Sequence, residues 1–431
     1  MKGVIVSYFS QMQTFTAVFL AALALTTGLR LWLARRHIRH IGSCRDRVPA
    51  DFSAHIELAA HQKAADYSTA KTRLGMIDIL IDAALLLALT LGGVLQALHE
   101  VWLRMFDAGG HAQGIALIVS VALISGIIDL PLSLYRTFAI EARFGFNKMT
   151  LRLFFADLIK QTLLGAALGL PLLACVLWLM QRMGEQWWLY VWATWIAFNL
   201  LVLTLYPTLI APWFNKFTPL EDASLKSRIE ALLAKCGFRA QGLYVMDSSK
   251  RSSHGNAYFT GFGAAKRIVL FDTLIARLAP AEIEAVLAHE LGHFRHHHVW
   301  KRMAVLFTLS LAFLWLLGHA MNQDWFYAGL NVQAHSTALA LMLFFQVVPV
   351  FTFLMHPLTS LYSRKHEYEA DAYAAKHAPP SDLIRALVKL YQDNAATLTP
   401  DPLHSAFYDS HPPALLRIAR LQTAGMQAHP A

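Results

Sequence analysis

Long apolar runs alternate with shorter polar stretches along this chain, and the runs set its organisation. A helix that crosses a bilayer needs about 20 predominantly apolar residues. Seven stretches meet that length: 14–33, 76–99, 114–138, 155–180, 187–211, 303–321 and 336–360. The pattern predicts four regions: 1–211 with five spans, 212–302 as a polar domain, 303–360 with two further spans, and 361–431 as a helical C-terminal segment. Within the polar domain, Leu225, Ile229, Leu232 and Leu233 recur at helical spacing, and Leu243–Met246, Asn256–Thr260 and Arg267–Phe271 read as short strands between Ser/Gly-rich turns. Pro280, followed by Glu282 and Glu284, marks the start of another helix. Proline suits the first helical position, and carboxylates suit the positive end of the helix dipole.

Composition strengthens the membrane reading. The chain is 56% hydrophobic and only 15% charged, with a mean hydropathy of +0.41, where a soluble domain carries about 25% charged residues. Its three cysteines, Cys44, Cys175 and Cys236, are scattered, so neither a disulfide framework nor a cysteine metal site is indicated. The net charge of +9 is explained by basic loops on the cytoplasmic side of a membrane protein rather than by nucleic acid. Segments 34–75 and 139–154 hold eight and three Lys/Arg, whereas 1–13, 99–113, 181–186 and 322–335 together hold only Lys2, Arg104 and Arg182. By the positive-inside rule the N-terminus lies outside, and both hydrophilic segments and the C-terminus lie in the cytoplasm. Trp187, Trp188, Tyr190 and Trp192 read as an aromatic belt at the outer end of the fifth span.

The spans carry ionisable residues: Asp78 and Asp82 in the second, Asp129 in the third, Asp157 and Lys160 in the fourth. Such groups either sit near span ends, with long side chains snorkelling to the interface, or face a water-filled interior shared by the helices. Both readings stand at this level. Pro131 and Pro171 are expected to kink or end their helices.

The sharpest chemical signal is His289-Glu290-Leu291-Gly292-His293 on the helix that starts at Pro280. Residues four apart share a helix face, so both imidazoles reach one ion, with the Glu290 carboxyl beside it. Imidazole pairs of this kind suit zinc, which in catalytic sites keeps three protein ligands and an open position. The third ligand is not a histidine three residues beyond a glycine, because Val299 occupies that place. Glu367 and Asp371 are four apart on a later helix. They offer a third ligand and a partner that orients a ligand imidazole, unless they are surface charges of a solvated helix. Glu369 points elsewhere on that helix. The run His296–His298 reads as an interfacial tract, with His296 the member nearest the metal face.

Together these residues resemble the integral-membrane zinc metalloproteases that include the type I CAAX prenyl endoproteases and, more distantly, the heat-shock protease HtpX. The resemblance extends beyond the HELGH segment. It includes 252–259, 267–274, Ser363 to Ala372, Ser410-His411-Pro412-Pro413, and upstream 61–67 and 144–147, so that it covers roughly residues 60 to 420. Seven spans favour the CAAX branch, because HtpX is shorter and has fewer.

The resemblance implies an α-helical fold of seven transmembrane helices around an internal chamber, capped by a small α+β, gluzincin-like zinc domain. It implies one Zn2+ per chain on His289, His293 and Glu367. Glu290 would act as general base and acid, Asp371 would hold a ligand histidine, and His411 would donate to the oxyanion. Asn256, Ala257 and Tyr258 would pair with an extended peptide as an added strand. The expected activity is endoproteolysis at the cytoplasmic face, near the C-terminus of prenylated proteins, so the partners are a peptide or protein substrate, prenylated or otherwise membrane-associated, and the lipid bilayer. Three rival readings are an HtpX-like quality-control protease of misfolded membrane proteins, a His-rich membrane metal transporter, and an inactive scaffold.

Overall fold

The structure is a computed structural model that describes residues 2–238, 242–260 and 267–428. Its apolar runs fold as helices α1 (Lys2–Cys44), α2 (Leu58–Leu89), α3 (Val94–Leu103), α4 (His111–Tyr135), α5 (Leu151–Arg182) and α6 (Trp187–Leu205), closed by the short α7 (Ala211–Phe214). Later in the chain come α11 (His298–Ala320), the short α12 (Asp324–Ala328) and α13 (Thr337–Thr352). Among the described residues, six helices are long and apolar enough to cross a membrane, and seven if the bent pair α2 and α3 counts as one span. That pair bends by 50° where the chain passes through Thr90–Gly93. Gly93 has φ 75°, which is left-handed backbone that glycine adopts without penalty. The second apolar block is therefore a broken span. Its helix also starts at Leu58, well before the block does, because the polar residues 58–75 continue it.

Pro131 and Pro171 both lie inside continuing helices, α4 and α5, rather than ending them. The bundle is cemented by side chains from distant spans: Leu117, Leu177, Leu317, Leu330 and Leu339 are all fully or almost fully buried in one cluster. Trp187 belongs to this cluster too. It packs inward, while Tyr190 stays half-exposed, so the expected aromatic belt is only partly a belt.

The intramembrane carboxylates divide between the two readings. Asp78 accepts from Arg136 at 2.9 Å. Asp82, 3.9 Å from Arg30, lines a cavity of about 420 Å³ inside the bundle together with Asp129 and Ser125. Asp157 is buried, yet it leaves the bundle interior to the other acids and grips Arg251 of the polar domain through two hydrogen bonds, of 2.7 and 3.0 Å.

The polar domain packs helix α8 (Ala223–Lys235) and a small sheet against the helices that carry the site. Its strands are β1 (Phe217–Pro219), β2 (Gly242–Met246), β3 (Ala257–Thr260) and β4 (Arg267–Phe271), in the spatial order β1-β2-β4-β3. The β2–β4 pair is parallel and the outer pairs are antiparallel. Strand β3 is therefore at an edge. After the short α9 (Asp272–Ile275) comes α10 (Pro280–Arg295), whose first turn is fixed by Glu282 accepting from the Ala279 N–H at 2.8 Å. The C-terminal segment adds α14 (His356–His377), α15 (Pro380–Asp393), α16 (Pro402–Tyr408) and α17 (Ala414–Ala428). Helices α10, α14, α15 and α17 share one core with the sheet, including Ile268, Leu270, Leu287, Leu291, Ala386 and Leu421.

One loop ties this domain to the membrane bundle. The Phe146 carbonyl accepts from the Ser253 N–H, Asn147 bridges to Ser252, and the Phe146 ring stacks on His254 with centroids 4.6 Å apart. Tyr67 of α2 and the Glu141 carboxylate complete the junction at 2.5 Å. The strand entering the site is thus braced from the membrane side.

Candidate active site and metal centre

Helices α10 and α14 cross in direct backbone contact, and this contact sets the distance between the groups they carry. On α10, His289 and His293 project from one face, with Nε2 atoms 3.2 Å apart. From α14, Glu367 brings Oε2 to 3.4 Å from His289 Nε2 and Oε1 to 3.4 Å from His293 Nε2. His289 and Glu367 are almost wholly buried. The Nδ1–H of His289 donates to Asp371 Oδ1 at 2.8 Å, which leaves its Nε2 as a lone pair directed at His293 and Glu367.

The donor set fits a tetrahedral cation. Zinc ligands at about 2.0–2.1 Å from the metal stand about 3.3–3.4 Å from one another at the tetrahedral angle, close to the 3.2 Å between the two Nε2 atoms and the 3.4 Å from each of them to its nearer Glu367 oxygen. Lone pairs turned toward each other without a shared cation would repel. Glu367 Oε2 is moreover a buried oxygen with no hydrogen-bond donor among the described residues, as expected of a ligand oxygen.

Electrostatics follow the same geometry. Burial disfavours a charged His289, but the Asp371 and Glu367 carboxylates outweigh it and raise its pKa to about 9. A cation on Nε2 takes the place of that proton. His293 is held neutral, at about 3, by burial and by repulsion from His289. Glu290, next to the ligand face and half-buried, has its carboxyl raised by burial, which is the adjustment a general base near neutral pH requires. It opens on a groove of about 380 Å³ lined by Asn256, Ala257, His289, Glu367, Tyr391 and His411.

The remaining expected residues fall in different places. His411 has Nε2 3.6 Å from Glu367 Oε2 and keeps 63% of its side chain exposed to the groove. Asn256 and Ala257 border the groove where β3 begins. Tyr258 does not: its ring turns to the other face of the sheet, beside Pro207, Phe217 and Tyr244, so only its backbone is available to a peptide paired with β3. The expectation for the histidine run also changes. His298, not His296, reaches the site: it is buried, with Nδ1 2.9 Å from His293 Nδ1. The chain turns back because His297 adopts a left-handed φ of 57° between α10 and α11.

Arg417 is the residue that sequence reasoning missed. Buried on α17, it clamps Asp371 through Nε at 2.9 Å and Nη2 at 2.6 Å and lies 4.0 Å from Glu367. Its signal was present: Ala414, Ile418 and Leu421 form the buried stripe of α17, and an arginine on such a stripe requires a carboxylate partner.

A second cavity, of about 410 Å³, adjoins the groove at Tyr391, Ala396 and His411, and it meets the intramembrane cavity at Tyr408. The catalytic groove therefore adjoins a series of cavities that extends into the bundle.

Comparison with known proteins agrees with this architecture. Residues 37–216 match the family described as CAAX prenyl protease N-terminal, five membrane helices, and residues 219–424 match peptidase family M48. The chain belongs to the CAAX prenyl endoprotease family. It is 38% identical to a CAAX prenyl protease 1 homolog of Oryza sativa subsp. japonica over 81% of this chain and 83% of that protein. It is 37% identical to CAAX prenyl protease 1 of Saccharomyces cerevisiae over 72% of each. The crystal structure of S. mikatae Ste24p superposes with a TM-score of 0.87 at 32% identity, covering 94% of this chain and 98% of that one. The chain is accordingly an integral multi-pass membrane metalloprotease with seven helical spans, the bent pair included, around an internal chamber. Family membership disfavours the transporter reading.

Proposed function

We propose that this protein hydrolyses peptide bonds near the C-terminus of prenylated, membrane-held proteins, at the cytoplasmic face, with one zinc ion bound by His289, His293 and Glu367. The observation that carries the reading is the juxtaposition of these three donors and Glu290 beside a groove that borders β3, the edge strand of the sheet, and adjoins the cavities of the bundle. A substrate anchored in the bilayer by an isoprenoid has to bring a polar peptide and a long apolar chain to neighbouring sites. A catalytic groove beside an intramembrane cavity suits both parts. The cytoplasmic placement rests on the Lys/Arg bias of the short loops.

The chemistry supplied by a zinc ion in such a site is polarisation of the scissile carbonyl and acidification of water. The chain's own residues do the rest. An extended peptide adds to β3 through backbone hydrogen bonds, with Asn256 and Ala257 at its entry, which gives affinity with little sequence preference. Glu290, ionised, takes a proton from the attacking water as the O–C bond forms and passes it to the amine nitrogen as the C–N bond breaks. His411, on the open side of the groove, donates to the developing oxyanion. Asp371 fixes the tautomer and ring orientation of His289, and Arg417 fixes Asp371.

Glu290→Gln tests this assignment. The ligands survive and the base does not, so the variant keeps one bound zinc per chain and loses peptide cleavage by a factor of about 10² to 10⁴. Undiminished cleavage by this variant would remove Glu290 from the reaction.

A further inference from the structure

We infer that His298 and Glu369 form a second positioning device, which orients the proposed metal ligand His293 as Asp371 orients His289; the inference rests on the zinc reading above. His298 Nε2 lies 2.8 Å from Glu369 Oε2, and its Nδ1 lies 2.9 Å from His293 Nδ1. For a neutral His298 these two contacts fix every proton of the relay. A carboxylate only accepts, so the His298 proton sits on Nε2 and is donated to Glu369. His298 Nδ1 is then a lone pair and accepts from the Nδ1–H of His293. That leaves His293 Nε2 as a lone pair, 3.4 Å from Glu367 and 3.2 Å from His289 Nε2. Both ligand histidines are thus backed by a carboxylate of α14, His289 directly and His293 through an intervening imidazole.

The surroundings hold the relay rigid. The His298 ring is stacked between His366, at 4.0 Å and 13°, and His296, at 5.5 Å and 14°. Its side chain is 1% exposed. The left-handed turn at His297, unfavourable for a residue with a Cβ, is what returns His298 toward His293. Glu367, Glu369 and Asp371 alternate along α14, so one helix supplies the ligand and both supports.

His298, His366 and Glu369 also stand close enough to suggest a second cation site. The near-parallel stacking of the two imidazoles argues against it, because their in-plane lone pairs run side by side instead of converging. Both nitrogens of His298 are in addition engaged by Glu369 and His293.

The test uses full-length protein in detergent and reads the zinc dissociation constant by chelator competition, together with the melting temperature of the chelated protein. His298→Phe keeps the ring packing but offers no acceptor, and it weakens zinc binding by about 10- to 100-fold. His298→Gln restores an acceptor for His293 and a donor for Glu369, and it recovers most of that loss. A role in packing alone predicts that only the glutamine variant loses melting temperature and that both variants keep wild-type zinc affinity, and this result overturns the inference. A glutamine variant as weak in zinc binding as the phenylalanine variant overturns it as well. If His298→Phe does not fold, Glu369→Ala carries the test: weakened zinc binding supports the relay, and wild-type affinity refutes it. Wild-type protein that binds no zinc would instead refute the proposed function, and the positioning role with it.

Discussion

Gly292 of α10 and Ala370 of α14 meet backbone to backbone: a Cβ added to Gly292 would stand 2.8 Å from Ala370 Cα and 3.0 Å from its carbonyl oxygen. Neither atom is the end of a flexible side chain, so the helices themselves have to part. Glu367 lies one turn before Ala370, and His289 and His293 flank Gly292. The glycine between the two histidines therefore sets how closely the third donor approaches them.

Gly292→Ala is expected to destabilise the protein by about 1–3 kcal/mol through overpacking and to weaken metal binding as Glu367 withdraws. Thermal unfolding with and without chelator measures both effects. A variant with wild-type melting temperature and metal affinity would show that the contact does not set the site.

Arg417 makes a different prediction. Its bidentate clamp on Asp371 is buried on both sides. Arg417→Met leaves a buried carboxylate beside Glu367 without its cation, at a cost of about 3–5 kcal/mol. Adding Asp371→Asn removes the stranded charge and recovers part of the stability, but not the orientation of His289. Unfolding free energies of the two single variants and the double variant close the cycle. Additive effects would mean that the two groups do not act as a pair.

Much of this was legible in the sequence, and what was not has physical causes. Apolar runs reveal spans because lipid imposes a length, and His289 to His293 reveals a metal face because a helix repeats every 3.6 residues. The polar extension of α2 from Leu58 was hidden, since hydropathy drops where the chain leaves the bilayer although the helix runs on. The end of α13 at Thr352, inside the seventh apolar block, was equally hidden. Strand β1 is three residues long and ends in Pro219, too short to show a period. His298 was misplaced because helical spacing was extended through a segment that the left-handed His297 interrupts. Arg417 stood in view on the apolar stripe of α17, but its partner Asp371 lies 46 positions away, a distance that no local pattern bridges.

The turn that leads into β3 carries a pH prediction. Burial alone would raise the Asp272 carboxyl, but the hydroxyls of Ser249 and Ser248 and the backbone N–H groups of Ser249 and Thr273 outweigh it and hold the pKa below its ordinary value. A carboxylate depressed in the folded state stabilises the fold above its unfolded pKa of about 3.9, and that contribution is lost as pH falls through the folded value. Asp272→Asn should therefore lower stability at pH 7 and flatten its decline below about pH 4. Denaturant unfolding of both proteins across this range measures the difference. Parallel profiles would exclude Asp272 as the titrating group.

The most direct measurement compares cleavage of one CAAX-type peptide, farnesylated and unmodified, by the purified protein, with Glu290→Gln as the blank. The proposed function predicts that the farnesylated peptide is cut with the higher kcat/KM, by at least tenfold, and that zinc chelation abolishes the reaction. Equal cleavage of both forms would contradict it. That result would make the isoprenoid irrelevant and leave a general membrane endoprotease, such as one that clears misfolded proteins.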